Sequence, residues 1–112
     1  MTNQLEEIRR TFIQNCMDDL EELKAMFVNA DFTNSNPNAE DLANNVFMVM
    51  HGIAGTAPMV GLDSLGPVSR KLELVFDKIR KGDKELSEQI KIQTIRGIDA
   101  IVDELKSEKI AL

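Results

Sequence analysis

The chain has one histidine, His51, and one cysteine, Cys16, so few of the usual nucleophiles are available to it. Neutral imidazole is well populated near pH 7 and can act as a nucleophile in its own right. The position of His51 is therefore decisive. On a helix turning about 100° per residue, Leu42, Val46, Val49, Met50, Ile53, Ala57 and Val60 form one apolar stripe, and His51 lies roughly 150° from its centre. The imidazole is expected on the outer face, in the company of Asn44, Phe47, Met48, Ala54, Gly55 and Pro58. Gly55, one turn after His51, costs a helix about 1 kcal/mol relative to alanine. It also removes a side chain from the place where a partner would approach the ring. Phe47 and Met48 beside an exposed histidine predict a reactive group ringed by a docking patch.

Other chemistries fit less well. A di-iron bundle needs Glu-x-x-His, and the position three before His51 is Met48. A haem ligand would point into the core, and no oriented nucleophile stands ready to make His51 the base of a triad. A lone cysteine makes no internal disulfide, and no Cys/His cluster has metal-ligand spacing. Cys16 falls within an apolar stripe and reads as a small core residue. From the residues alone, a solvated surface histidine and a nucleophilic one both remain open.

The elements that position His51 read as four helices. In the first, Leu5, Ile8, Phe12, Cys16, Leu20, Leu23, Phe27 and Ala30 recur at steps of three and four. A polar loop over 31–38 follows, with Asn36 as a cap and Pro37 as the first helical residue. The second helix is expected from about Pro37 to near Pro58 or Met59, and Gly61 supplies a turn. Asp63 or Ser64 would cap a third helix whose stripe is Leu65, Val68, Leu72, Val75, Phe76 and Ile79, with Pro67 in its first turn. Lys81 suits the negative end of that helix and Gly82 a left-handed cap. Asp83 would cap the fourth helix, carrying Leu86, Ile90, Ile95, Ile98, Ile101, Val102 and Leu105, with Gly97 at a close helix contact. The pattern predicts an all-α, antiparallel four-helix bundle forming a single domain over 1–112.

Composition narrows the partners. Apolar residues make up 43% and charged residues 29%, which is ordinary for a globular domain. Lys and Arg number 13 against 19 Asp and Glu, a net charge of −6 that argues against nucleic-acid binding. No signal peptide or membrane span is apparent, so a cytoplasmic, reducing location is expected.

The segment over 51–61, HGIAGTAPMVG, resembles the signature of histidine-containing phosphotransfer (HPt) domains. His51, Ile53, Gly55, Thr56, Ala57, Gly61 and Leu62 match it or substitute conservatively, and the four-helix pattern agrees over almost the whole chain. The resemblance implies that His51 takes a phosphoryl group from the aspartyl phosphate of a receiver domain and passes it to a response regulator. A hybrid sensor histidine kinase would stand upstream. Such a domain is a phosphocarrier, not an enzyme with its own nucleotide site. It needs no cofactor, since the partner receiver supplies Mg²⁺, and it is expected to be a monomer. Docking would use Asn44, Phe47, Met48, Ala54 and Pro58.

One departure stands out. The family places a lysine three residues after the histidine, where this chain has Ala54. A hairpin turn centred near 60 or 61 puts position 70 level with His51, so Arg70 or Lys71 is expected to supply the missing charge. Glu73, one turn further, could accept a hydrogen bond from Nδ1–H and leave Nε2 as the nucleophile. The chemotaxis-kinase version of the domain is similar in having a glutamate at this spacing. Two alternatives accompany this expectation: a receiver-docking module without phosphotransfer, and a domain of a larger sensor or chemotaxis kinase. Met1 and the fitted length favour a free-standing protein.

Overall fold

Apolar residues spaced at three and four build four helices whose stripes meet along one core. The computed structural model describes residues 4–29 and 39–111, with side chains over 4–29 and 40–108. Helix α1 covers Gln4–Asn29 and α2 covers Ala39–Thr56, followed by a 3₁₀ turn over Ala57–Val60. Helix α3 covers Leu65–Arg80, and α4 covers Glu88–Ala111. The bundle is elongated, 55 × 23 × 18 Å. Helix α1 packs on α2 and α4, and α3 packs on the same two, most extensively on α2. Across the centre, Phe27 of α1 meets Phe76 of α3 edge to face, with ring centroids 5.8 Å apart. Both rings are fully buried, and burial of a phenylalanine contributes about 1.5–3 kcal/mol.

Turn chemistry fixes how α2 passes into α3. Gly61 adopts φ 80°, a left-handed conformation open to glycine. Its N–H reaches the Pro58 carbonyl, and Leu62 N–H reaches the Ala57 carbonyl at 2.8 Å. Buried Leu62 then anchors the chain. The same paired closure ends α3, where Gly82 N–H bonds Ile79 and Asp83 N–H bonds Lys78, a Schellman arrangement. Gly97 serves the close packing expected of it: a Cβ there would lie 2.9 Å from a methyl group of Leu72.

Several expectations need correcting. Leu5 and Ile8 are exposed, because α1 meets the core through Ile13, Cys16, Leu20, Leu23 and Phe27. Ile13 is the first buried residue of α1, so the turns before it lie beyond the reach of the core. Phe12 and Val49 are partly buried, at the edge of the core. Helix α2 stops at Thr56 as a regular helix, and Pro58 and Met59 belong to the 3₁₀ turn. Ser64 precedes α3 without a side-chain cap bond, its hydroxyl donating instead to Glu104 of α4 at 3.4 Å. Asp83 does not cap α4, since the chain runs on to Ser87, whose Oγ accepts the Ile90 N–H. Ala30, Asn36 and Pro37 lie outside the described residues.

Candidate functional site

The site is built on the α2–α3 hairpin. Val46, Met50 and Ile53 of α2 and Ala57 of the 3₁₀ turn point inward and send His51 outward, with 63% of its side chain exposed. On α3 the inward row includes two polar residues, Ser69 and Glu73. Ser69 is fully buried, and Glu73 retains only 7% side-chain exposure. A buried carboxylate needs partners to offset its lost hydration. Glu73 has two. Its Oε1 lies 2.7 Å from His51 Nδ1, and its Oε2 accepts from Arg70 Nη1 at 3.3 Å.

That contact has a chemical consequence. A carboxylate only accepts, so in the neutral imidazole the proton sits on Nδ1, between the two groups. The Nε2 lone pair is then left facing outward from the ring. An open cavity of about 440 Å³ lies in front of the imidazole, lined by His51, Ala54, Gly55, Gly66, Pro67 and Arg70. A Cβ placed on Gly55 would meet no atom within 4 Å. Steric packing therefore does not require glycine there.

A second contact holds the imidazole from the side. The rings of His51 and Phe47 run nearly parallel, 14° apart in plane and 5.6 Å between centroids. The Arg80 guanidinium carbon sits 3.7 Å from the Phe47 centroid. Arg80 Nε donates to Asp77 Oδ1 at 2.8 Å, and Lys81 Nζ donates to Asp77 Oδ2 at 2.9 Å. These hydrogen bonds, Lys81 first and Arg80 second, hold the Asp77 carboxyl below its usual range.

Of the residues singled out in the sequence, His51, Ala54, Gly55 and Arg70 share the cavity, and Glu73 joins them beneath the imidazole. Lys71 is exposed and lies outside that lining. The residue level with His51 is Glu73 rather than 70, because the 3₁₀ turn and the bend after it move the hairpin's midpoint to 62. Phe47 is partly buried against the core, with Arg80 over its ring. Met48 is 64% exposed but turns toward α1, lining a separate groove of about 310 Å³ with Phe12, Cys16 and Gly52. Asn44 is half-buried, and Pro58 is exposed in the 3₁₀ turn. Gly66, Pro67, Asp77 and Arg80 were not anticipated. The hairpin register could have found them: with 62 as midpoint, Asp77 falls level with Phe47.

Known proteins resemble this chain. The family model described as Hpt domain matches residues 7–108. The chain is 27% identical over 99 residues to "Chemotaxis protein CheA" of Rhizobium meliloti (strain 1021), covering 88% of this chain and 13% of that protein. It is 30% identical over 95 residues to "Sensor histidine kinase CheAY" of Helicobacter pylori (strain ATCC 700392 / 26695), covering 85% of this chain and 12% of that one. The chain thus spans about an eighth of the length of these two relatives. No solved structure gives a significant match.

Proposed function

Since the chain belongs to the Hpt domain family, and so to the phosphotransfer modules of two-component signalling, we propose that it is a phosphocarrier working through His51. The observation that carries this reading is the 2.7 Å contact between His51 Nδ1 and buried Glu73, beside a cavity that His51 lines, which favours the neutral tautomer with its lone pair on Nε2. The donor is the aspartyl phosphate of a receiver domain, whose own Mg²⁺ and acidic pocket activate the phosphoryl group. The Nε2 lone pair attacks phosphorus, an N–P bond forms, and the acyl-phosphate P–O bond breaks to return the aspartate carboxylate. Nδ1 keeps its proton, so the ring becomes cationic as it is phosphorylated, and Glu73 balances that charge. Return of the group to a second receiver reverses these steps.

Arg70 supports the phosphoryl oxygens in place of the absent lysine. Its guanidinium has five N–H donors, and Nη1 is the one turned to Glu73. It lines the same cavity as Ala54, whereas Lys71 does not. Gly55 and Ala54 keep the rim low enough for a receiver to reach Nε2. Among the described residues no helix is long and apolar enough to cross a membrane, and a cytoplasmic, monomeric carrier goes with this reading.

The names of the two relatives favour a second reading, in which this domain serves a chemotaxis-type sensor kinase. The test covers both. Phosphorylated receiver domains, and separately a sensor kinase with ATP, are mixed with wild type and with His51→Gln. Acid-labile phosphate on wild type alone establishes the carrier, and the productive donor tells the two readings apart. Binding of a receiver without label on wild type would replace transfer by docking.

A further inference from the structure

The contact between Nδ1 and Glu73 Oε1, at 2.7 Å, bears on one edge of the imidazole and leaves its faces to other neighbours. In-line attack requires the Nε2 lone pair to point at phosphorus, and that direction lies in the ring plane. A contact on a ring face limits the rocking about χ1 and χ2 that an edge contact tolerates.

The neighbouring side chains supply it. The Phe47 ring lies one helical turn before His51, 14° from parallel with the imidazole. It is seated partly in the core, and the Arg80 guanidinium carbon stands 3.7 Å from its centroid. Arg80 is itself held by Asp77, one turn back on α3. Resting on the phosphocarrier reading above, we propose that Phe47, clamped by Arg80 and Asp77, sets the plane of the His51 imidazole and so positions Nε2 for phosphoryl transfer. Arg80 is not among the residues lining the cavity in front of His51. Its effect is relayed through the Phe47 ring, which makes Phe47 and Arg80 positioning residues and separates them from Arg70. The arrangement resembles a hinge pin and a backstop: Glu73 is the pin, Phe47 the backstop.

The experiment uses the one histidine as its own reporter. Ring ¹³C relaxation of labelled His51 is measured in wild type, Phe47→Leu, Arg80→Ala and Arg80→Lys, with thermal unfolding to show that each is folded. Leucine keeps bulk in the core and removes the flat face. Lysine keeps a cation over the ring. The ring is expected to gain mobility in Phe47→Leu and Arg80→Ala, and to recover part of its order in Arg80→Lys. The transfer rate at saturating receiver falls about tenfold in the first two, with half-saturation unchanged. Unaltered ring order in both folded variants overturns the proposal. So does a loss confined to half-saturation, which would make Phe47 a docking residue. Failure of wild type to take label from any donor would instead overturn the carrier reading, and the ring-order result would still decide whether the stack sets the plane.

Discussion

Glu73 meets His51 edge-on from within the core: Oε1 stands 2.7 Å from Nδ1, on a side chain with only 7% exposure. The exposed ring thus meets a carboxylate that is almost wholly buried. Buried Leu72 and Phe76 on either side of Glu73 hold its helix in place.

Replacing Glu73 tests that relationship. On the carrier reading, Glu73→Gln removes the charge that would balance a phosphorylated imidazole, and it offers an N–H in competition with the Nδ1 proton. A hydrogen bond to a charged group contributes about 1.5–3 kcal/mol, so transfer is expected to fall by about 10- to 100-fold. Nitrogen chemical shifts of the imidazole should show loss of the single Nδ1–H tautomer. A pure Nδ1–H spectrum with an unchanged rate would remove Glu73 from the mechanism.

Arg70 and Lys71 are adjacent in sequence, but only Arg70 lines the cavity. Arg70→Ala is expected to shorten the phosphohistidine lifetime by up to about fivefold, the modest scale of a charge that is largely in water. Lys71→Ala should leave it unchanged. Equal effects would mean that general positive charge on α3, not the cavity, is what matters.

Gly55 separates folding from function. Since a Cβ there meets no atom within 4 Å, Gly55→Ala should raise stability by up to about 1 kcal/mol through helix propensity. On the carrier reading the same methyl group would stand in the receiver's approach, so transfer should slow while melting temperature rises. Faster or unchanged transfer in the stabilised variant would show that the rim has room to spare.

Cys16 is predicted to titrate late. Burial in the α1 stripe, with the Asp19 charge as a smaller contribution, pushes its thiol up to about 12 from an ordinary 9.0. A raised acid is protonated in the folded state where the unfolded chain has already released its proton. Stability is thus unaffected below about pH 9 and falls between there and about 12. Cys16→Ala should flatten that alkaline limb in denaturant titrations followed from pH 8 to 11. Native thiol should also react slowly with a disulfide reagent at pH 8 and rapidly once unfolded.

Much of this arrangement was legible because it depends on local periodicity. The outward turn of His51, the buried Cys16, the left-handed Gly82 and the tight contact at Gly97 each follow from spacing within a few turns. What escaped was of longer range. Leu5 and Ile8 satisfy the three-four rule but lie at an end of α1 that the core does not reach. Asp83 is a good cap residue, yet its N–H already closes α3 and α4 starts at Glu88. The level of Glu73 depended on how far a 3₁₀ turn carries the chain, which composition does not state. Phe47 and Met48 were grouped because both flank His51. They part at the next layer, one toward Arg80 of α3 and the other toward α1, as the neighbours and not the wheel dictate.

The paired closure at Gly61 and Leu62 does more than end a turn. One residue inserted there would slide α3 by about 1.5 Å and rotate it by about 100°, carrying Glu73 from beneath the imidazole and Leu72 and Phe76 from the core together. The alignment that assembles the chemistry and the alignment that fills the interior are thus a single vernier, read at one setting. Changes of loop length cannot retune this histidine without unmaking the bundle. On the carrier reading, its reactivity is open to adjustment from stations along the two helices, at positions such as 54, 70 and 80.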